Sequence, residues 1–304
     1  MTIKKLDKNR IDALLDLLKI SMPLDKFTKE LLEENVIKDM NENPELSLAA
    51  YEDEKLVGFG MGVIRKRKDE AMGYIKFLAV HPNYRRKGIA KQMYQQIEKG
   101  IIQESINKIR LVESWPNYYM PGIDPFYTEA VAFFERLGYV KVGDAANLIC
   151  DLESQNFNTS DEEKIARTKN IEIKRAEKSD TEALMKWTAE NFKEWRFEIS
   201  NALNNDPVSV HLAKLDNEII AFSAFEGNNR GLGWFGPVGT TEAARGKGVG
   251  GILLKRCLRD MKEAGHKEAI IPWVANIPFY MHYISSKVNR IFWRYEKTID
   301  QKIS

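Results

Sequence analysis

The clearest pattern in the chain is an apolar strand followed by a polar turn and an amphipathic helix, and it occurs twice. The first copy lies in Gly73–Gly100 and the second in Gly233–Gly265. In each copy, apolar residues recur every four positions after the turn, which predicts a helix with one buried face. These apolar positions are Ile89, Met93, Ile97 and Ile101 in the first copy, and Val249, Leu253, Cys257 and Met261 in the second.

The two copies belong to a longer internal repeat. Arg85 and Arg245 begin the two turns and are 160 residues apart. The segment from Thr2 resembles the segment from Ile171, and the paired strands predicted at 46–51 and 55–64 match those at 208–215 and 218–225. Each half therefore reads as a strand, two helices, three strands, a helix, a strand, a helix and a strand. The predicted fold class is α+β, with two consecutive domains that each hold a mixed, mostly antiparallel sheet flanked by helices.

The domain limits follow from a polar stretch between the repeats. Residues 153–169 are nearly free of aromatic side chains, which is typical of a linker or a surface helix. We therefore predict domains at 1–152 and 170–304, joined by a linker at 153–169.

Composition narrows the class of protein. The chain has 304 residues, of which 43% are hydrophobic and 30% charged, as in globular proteins. Lys and Arg number 46 against 44 Asp and Glu, a net charge of +2 that does not suggest a nucleic-acid partner. No apolar run has the length of a membrane span and the N-terminus lacks a signal-peptide core, so we expect a cytoplasmic protein with no membrane partner. Two cysteines and four histidines show no metal-ligand spacing, so we expect no metal.

The two turns, RRKGIA and RGKGVG, place glycine where a strand leads into a helix. Helix N-termini present unpaired N–H groups and the positive end of the helix dipole, and glycine allows a phosphate to approach the backbone. The turns therefore suit a diphosphate, and basic side chains add positive charge at both. A further basic run, RKRK at 65–68, is predicted to be a solvated hairpin turn.

One motif in the second turn is misleading. Gly246–Gly251 satisfies the dinucleotide-binding pattern G-x-G-x-x-G. That pattern requires a tight βαβ unit and an acidic residue about 20 residues later, and the next strand here ends in Ile-Ile-Pro-Trp. Since no Gly-Lys is followed by Ser or Thr, a Walker A loop is absent as well.

The motifs Arg85-x-x-Gly88-x-Ala90 and Arg245-x-x-Gly248-x-Gly250 resemble the acyl-CoA-binding signature of the GNAT acetyltransferase superfamily. FLAVHP before the first turn and LGY at 137–139 are typical of the same family, and 279–297 resembles the C-terminus of bacterial tandem-GNAT proteins. The resemblance covers nearly the whole chain. It implies two GNAT-like domains, with acetyl-CoA as the co-substrate and an amine as the acceptor.

The resemblance also implies a cofactor site in each half. The CoA pyrophosphate would lie on the amides of each turn, and the pantetheine arm would pair with the preceding strand, whose bulge often donates an N–H to the thioester carbonyl. Pro237 lacks this donor, so in the second half the contact must come from Val238 or Gly239. The implied cofactor-binding residues are Leu78, Ala79, Val80, Arg85, Arg86, Lys87, Gly88, Ile89, Ala90 and Lys91, and Val238, Gly239, Arg245, Gly246, Lys247, Gly248, Val249, Gly250 and Gly251.

The two halves differ where the family commonly has a tyrosine that protonates the leaving thiolate. The second half has Tyr280 there, with Tyr283 one turn later, whereas the first half has Phe134. We therefore expect catalysis in the second half, with the first half structural or binding CoA without turnover. Glu226 is the candidate base. The alternatives are Glu242, Glu113 in the first half, and a water-mediated deprotonation with no dedicated base.

The long aromatic loop 114–130 is the candidate acceptor wall, through Tyr118, Tyr119 and Asp124. The predicted function is acetyl transfer to a primary amine of a small molecule, which the resemblance suggests is an aminosugar or its conjugate. The alternatives are a CoA-binding regulatory module without turnover and an interaction protein with vestigial turns. The protein is expected to be a monomer or a homodimer.

Overall fold

The computed structural model describes residues 1–67 and 70–299, which form two compact units. Unit 1 comprises Met1–Ala145 together with the chain from Ile291 onward, and unit 2 comprises Ala146–Arg290. Two strands have residues in both units: β6 (Val140–Asp151) contributes its first half to unit 1, and β12 (Lys287–Thr298) contributes its later part.

Unit 1 holds a mixed sheet in the order β1-β2-β3-β4-β5-β12-β6. The pairing of β4 with β5 is parallel, and the other recorded pairs are antiparallel. A π-helical turn, Glu33–Ile37, continues α2. The elements are β1 (Thr2–Lys5), α1 (Ile11–Ser21), α2 (Lys29–Leu32), β2 (Ser47–Glu52), β3 (Lys55–Arg67), β4 (Glu70–Val80), α3 (Ile89–Gln103), β5 (Lys108–Leu111) and α4 (Thr128–Arg136).

Unit 2 holds an antiparallel sheet in the order β10-β9-β8-β7, and β11 pairs with the second half of β6. A single parallel bridge, Trp234–Ile270, joins the start of β10 to β11. A 3₁₀ turn, Lys193–Trp195, precedes α7. The elements are α5 (Ser160–Arg167), β7 (Ile171–Arg175), α6 (Thr181–Asn191), α7 (Arg196–Leu203), β8 (Val210–Leu215), β9 (Glu218–Phe225), β10 (Phe235–Thr240), α8 (Val249–Glu263), β11 (Glu268–Ile271) and α9 (Ile277–Tyr283).

The two periodic helices are built as predicted. The four apolar positions of α3 are at most 1% exposed, and the four of α8 are also at most 1% exposed. Each helix therefore covers one face of its sheet, while α1 and α2, or α6 and α7, cover the other. The α+β fold class and the order of elements in each half are confirmed by this architecture.

The compact units differ from the predicted domains at three places. The second half of β6, from Ala146, belongs to unit 2, although the predicted first domain extends to residue 152. The later part of the last strand belongs to unit 1, where Glu296, Lys297 and Thr298 pair with Arg110, Ile109 and Lys108 of β5. The predicted linker contains α5, and Phe157 before it is buried in a core cluster of unit 2.

Candidate active site

Both glycine turns have the backbone geometry of an anion-binding helix N-terminus. Gly88 and Gly248 cap α3 and α8 with φ of 78° and 77°, in the left-handed region that favours glycine. Two residues earlier, Arg86 and Gly246 also have positive φ, 64° and 76°. The turns are exposed, and a Cβ placed on Gly246 or Gly248 would meet no atom within 4 Å in the described structure. The second turn therefore borders open space in which an anion could approach the backbone, and at the first turn a Cβ on Gly88 would meet the Gln92 side chain at 3.7 Å.

The basic side chains at the two turns have different surroundings. The Arg85 guanidinium donates to the carbonyls of Val80 (3.2 Å) and Ser21 (3.1 Å), which ties the first turn to β4 and α1. Arg245 is exposed and lies 3.4 Å from the equally exposed Glu242. Lys87 stands over the Tyr84 ring at 4.9 Å. The second turn thus keeps an arginine without a buried anchor, available to an anionic ligand.

Each turn follows a strand with one open edge. The amide of His81 bonds to β3, and since backbone groups of successive residues point to opposite edges, those of Leu78 and Val80 point away from β3. On that side β4 pairs with β5 only over Gly73–Ile75. The amide of Thr241 bonds to β9 in the same way, so Val238 and Thr240 point to the open edge of β10. By the same alternation, the backbone N–H of Gly239 points toward β9. Of the two predicted donors, Val238 is therefore the one whose N–H faces the open edge.

Each strand also carries the predicted bulge, and the two bulges are filled differently. In β4 the register passes from Phe77 to Ile75, so that Lys76 is the extra residue. In β10 the register passes from Val238 to Phe235, which leaves Gly236 and Pro237 in the bulge. Lys76 is 1% exposed, whereas a Cβ on Gly236 would meet no described atom within 4 Å. The bulge of unit 2 therefore borders open space, and that of unit 1 does not.

In unit 1 the bulge is occupied by a buried ion cluster. Asp39 accepts from Lys76 Nζ at 2.6 Å and from both terminal nitrogens of Arg65, each at 2.6 Å. Burial alone would raise the pKa of Asp39, but the Arg65 hydrogen bonds and the charge of Lys76 hold it below its usual range. Burial lowers the pKa of Lys76 to about 8, against the opposing effect of Asp39. Asn117, which donates to the Glu34 carbonyl (3.0 Å), closes the cluster.

This cluster corrects the prediction that RKRK forms a solvated turn. β3 continues to Arg67, and Arg65 is 2% exposed because its guanidinium is bound by Asp39. Lys68 lies outside the described residues. Sequence reasoning also missed Lys76, although a lone lysine within an apolar strand, YIKFLAV, is the kind of signal that indicates a paired buried charge.

The predicted tyrosines lie on α9, against the first turn of α8. A Cβ on Gly251 would lie 2.2 Å from the Tyr283 ring, and one on Gly250 would lie 3.3 Å from Phe279. The half-buried Tyr280 packs edge-on against Phe235, which precedes the bulge. Burial raises the pKa of Tyr280 to about 12, so its hydroxyl keeps its proton at neutral pH.

The corresponding aromatic residue in unit 1 is Phe134. It is 5% exposed and packs edge-on against Tyr94 and Tyr139. The ring therefore fills the core and offers no proton.

The candidate bases are held by other groups. The Glu226 carboxylate accepts from the amides of Gly231 (2.6 Å) and Gly233 (2.9 Å), with His266 at 3.5 Å, and so shapes the loop after β9. Glu242 is exposed beside Arg245. Glu113 accepts from Arg110 (2.7 Å) and Arg294 (3.0 Å) in unit 1. This geometry gives Glu226 and Glu113 structural partners that compete with a role as base.

The three predicted acceptor residues are buried in unit 1, whereas Tyr280 and Glu226 belong to unit 2. Tyr118 is 5% exposed and Tyr119 1% exposed. The Tyr119 ring lies 5.1 Å from Phe27, and its hydroxyl donates to the carbonyl of Lys26 (3.3 Å). Asp124, 5% exposed, accepts from the amide of Phe126 (2.9 Å). The loop therefore packs onto the segment between α1 and α2.

Neither the cysteines nor the acidic and histidine side chains of the described residues form a metal site. Cys150 and Cys257 are free and buried. Within residues 1–67 and 70–299, no group of three or more His, Cys, Asp or Glu side chains is placed to hold a metal ion. Across the same residues, the helices are all too short or too polar to cross a membrane.

Comparison with known proteins assigns the family. The model of the acetyltransferase (GNAT) family matches residues 11–139 and 171–282. The chain is 32% identical over 80 residues to an acetyltransferase of Pectobacterium atrosepticum, and 34% identical over 107 residues to one of Sodalis glossinidius. These matches cover 26% and 35% of the chain, and 54% and 66% of the relatives, so it spans about half to two thirds of the curated relatives' length.

Solved structures share the fold of the whole chain. A GCN5-related glucosamine N-acetyltransferase region of a fungal multi-domain GH3 β-N-acetylglucosaminidase matches with a TM-score of 0.81 and 18% identity, covering 97% of this chain and 38% of that one. A GCN5-related N-acetyltransferase from Sphaerobacter thermophilus has a TM-score of 0.70 at 15% identity, with coverage of 98% and 95%. A tandem GNAT protein of the clavulanic acid pathway has 0.67 at 13% identity, with 98% of both chains covered. With two matched regions and a tandem-domain architecture, the chain belongs to the GNAT acetyltransferase family.

Proposed function

We propose that this protein transfers an acetyl group from acetyl-CoA to a primary amine of a small molecule, and that the reaction takes place in unit 2. The observation that carries the proposal is the contrast at the strand bulge. In unit 2 Gly236, one of the two bulge residues, borders open space, and in unit 1 the extra residue is the buried Lys76. Space for an acyl group and an attacking amine is therefore available beside the bulge of unit 2.

The chemistry follows from the groups around that space. The amides of Gly246–Gly251 hold the pyrophosphate with help from Arg245 and Lys247, and the open edge at Val238 pairs with the pantetheine arm. The Val238 N–H then lies where the thioester oxygen gains negative charge, and a donor at such a position lowers the barrier by about 3 kcal/mol. The amine nitrogen attacks the carbonyl carbon, the C–S bond breaks, and Tyr280 gives its proton to the leaving thiolate.

Unit 1 supports the reaction without performing it. Its turn retains the geometry for a CoA pyrophosphate, but the ion cluster fills its bulge and Phe134 replaces the tyrosine. We assign it a structural or CoA-binding role without turnover. The burial of Tyr118, Tyr119 and Asp124 gives these residues a packing role within unit 1.

The acceptor class is proposed from a structural resemblance: the fungal structure that resembles this chain is a glucosamine N-acetyltransferase region. We therefore propose an aminosugar or its conjugate as the acceptor, with glucosamine as the first probe.

The experiment uses the whole chain with acetyl-CoA and glucosamine. A ligand that binds the native state raises the melting temperature, so acetyl-CoA alone is expected to stabilise the protein, and thiol release is expected once the amine is added. Tyr280→Phe removes only the hydroxyl and is expected to lower kcat by roughly 100-fold or more, with the acetyl-CoA shift retained.

Tyr295→Phe is the matched control for this substitution, because its hydroxyl bonds to Glu135 in unit 1. A melting shift without thiol release for any amine would show a binding module and contradict the proposal. A Tyr280→Phe variant with unchanged kcat would move the catalytic acid elsewhere.

A further inference from the structure

Unit 2 contains a buried carboxyl group with an unpaired oxygen atom. Glu198 stands on the inward face of α7 with Ile199, Ala202 and Leu203, and it is 8% exposed. Its Oε2 atom is shielded from solvent and has no hydrogen-bond partner among residues 1–67 and 70–299. Burial raises the pKa of Glu198 to about 8. A partnerless buried carboxyl destabilises a fold, so its presence here calls for a compensating function.

The position of Glu198 is fixed by close packing at the end of β9. A Cβ on Gly227 would lie 2.3 Å from the Glu198 carbonyl oxygen, so only glycine allows this approach. Asn201, on the next turn of α7, donates to the Gly227 carbonyl at 3.0 Å. Gly227 lies two residues after Phe225, which pairs with Phe235 at the start of the β10 bulge. Glu198 is thus held at the end of the strand that flanks the bulge.

Glu198 and the bulge lie on the same face of the sheet. Ile199 and Ala224 belong to one core cluster beneath α6 and α7. Ala224 lies opposite the bulge, between the pairs Phe225–Phe235 and Ser223–Val238. Phe235 points to the other face, where it packs in the cluster of α8. The open space beside Gly236 is therefore on the side of the sheet that α7 covers.

Unit 1 shows what such an acid binds when the bulge holds a cation. There the ammonium group of Lys76 projects from the bulge and lies 2.6 Å from the Asp39 carboxylate, on the face covered by α1 and α2. In unit 2 the bulge consists of Gly236 and Pro237, which have no ammonium group, and the described residues place no cation beside Glu198. The missing element in unit 2 is therefore an ammonium group beside the bulge, which a bound amine would supply.

We propose that Glu198 is the catalytic carboxylate of unit 2, which binds the ammonium group of the acceptor and takes its proton before acetyl transfer. This assignment rests on the proposed function and names the base that it requires. The acceptor is thereby restricted to a primary amine that reaches the bulge in its protonated form, in the place that Lys76 occupies in unit 1.

An adjacent ammonium group favours the ionised form of a buried acid, so Glu198 is a carboxylate while it faces R–NH₃⁺. It takes one proton from R–NH₃⁺, and the neutral amine attacks the thioester carbon, so that a C–N bond forms. The C–S bond breaks, and the thiolate takes the proton of Tyr280 to leave as CoA thiol. The nitrogen loses a second proton, which restores the Tyr280 hydroxyl, and Glu198 releases its proton to solvent. The net products are the amide, CoA thiol and one proton.

No other charged group accounts for the state of Glu198, since burial is the sole cause of its pKa shift. The nearby elements carry several such groups, and those closest to α7 have partners or lie toward solvent. His211 on β8 is bound by Asp260, and Glu226 at the end of β9 is bound by two amides. Lys193 and Arg196, at the start of α7, are exposed, and Glu194 is half-buried.

The test compares Glu198→Gln with the wild type in thiol release from acetyl-CoA and glucosamine. Gln keeps the shape but cannot take the proton, so kcat/KM is expected to fall roughly 100-fold near neutral pH. Well above pH 8, where Glu198 is ionised even in the empty site, the deficit is expected to shrink, because an amine that is already neutral needs no base. A purely structural role would give a deficit that does not change with pH. Glu194→Gln, on the adjacent 3₁₀ turn, is the matched control and is expected to behave as the wild type.

A second measurement separates this inference from the proposed function. Glucosamine is expected to raise the melting temperature of the acetyl-CoA-free wild type but not that of Glu198→Gln, while acetyl-CoA shifts both equally. Equal glucosamine shifts in the two proteins, no shift in either, or equal activity overturn the assignment of Glu198. Absence of thiol release in a wild type that binds both ligands overturns the proposed function and leaves Glu198 as the ammonium-binding group.

Discussion

The contact between Tyr283 and the first turn of α8 allows a sharp test of how α9, which carries the proposed acid Tyr280, is positioned. Gly250 and Gly251 are adjacent in this turn, and alanine at either position improves helix propensity by up to about 1 kcal/mol. Their surroundings differ. A Cβ on Gly250 would lie 3.3 Å from Phe279, close to ordinary contact, whereas one on Gly251 would lie 2.2 Å from the Tyr283 ring. The two substitutions therefore change the same property and differ in clearance.

The cost of Gly251→Ala follows from this clearance. Ordinary contact begins at 3.4 Å, so the Tyr283 ring must move by about 1.2 Å from its 2.2 Å approach. Overpacking of this kind costs about 1–3 kcal/mol, which exceeds the propensity gain. Tyr280 lies one turn before Tyr283 on the same short helix, and it moves with it. A displacement of about 1 Å at a reacting group lowers the rate by roughly 100-fold.

Gly250→Ala is the control, because unit 1 has Ala90 at the corresponding position of its own turn. Denaturant unfolding and thiol release are measured for both variants. Gly250→Ala is expected to match or exceed the wild-type stability and to lose little activity, whereas Gly251→Ala is expected to lose stability and most of its activity. Equal activity in the two variants would show that α9 does not position the catalytic hydroxyl.

Three further predictions concern buried charges. Asp39→Asn leaves two buried cations without their carboxylate and is expected to lower the free energy of unfolding, measured by chemical denaturation, by about 3–5 kcal/mol. Asp161→Asn, which breaks an exposed ion pair, is expected to leave the denaturation midpoint unchanged. Burial holds the pKa of His211 below 6.5 although Asp260 opposes this, so the folded state takes up less proton than the unfolded chain, and stability falls as pH drops below about 6.5. His211→Leu is expected to flatten that fall. Folding raises the pKa of Glu198 from 4.5 to about 8, so the wild type loses stability as pH rises through this window. Relative to the wild type, Glu198→Gln is therefore expected to gain up to about 5 kcal/mol of unfolding free energy by about pH 8. A stability difference that does not change with pH would refute the raised pKa of Glu198.

The features that sequence predicted well are those that local physics determines. The apolar face of α3 needs only helical periodicity and a sheet to cover, so Ile89 and Met93 could be placed in the core from spacing alone. Glycine at the N-caps of α3 and α8 follows from the left-handed conformation at those positions. Because the sequence repeats, the buried helix face and the glycine N-cap inferred in one half could also be predicted in the other.

The features that sequence missed depend on partners far along the chain. Arg65 is buried because Asp39 binds it, and no local pattern distinguishes this pair from two solvated charges. The composition of β12 does not indicate which unit the strand joins. Its pairing with β5 brings Glu296 to Arg110, which lies 186 residues earlier in the chain. Glu198 lies in a weakly amphipathic helix, so its inward orientation depends on the packing against Gly227.

The two units together explain why a repeat can keep its fold while its chemistry diverges. The bulges of β4 and β10 each lie next to the strand edge that is proposed to bind the pantetheine arm of CoA. The side chain at the bulge determines which group an acid on the same face of the sheet can bind. A lysine at this position neutralises the acid and closes the site, as Lys76 does with Asp39. A glycine leaves the acid uncompensated at a cost in stability, as Gly236 leaves Glu198. On the proposed function, Phe134 in unit 1 costs no activity, because a bulge occupied by Lys76 leaves no room for an acceptor. Tyr280 in unit 2, by the same proposal, lies near an open bulge where an amine can bind.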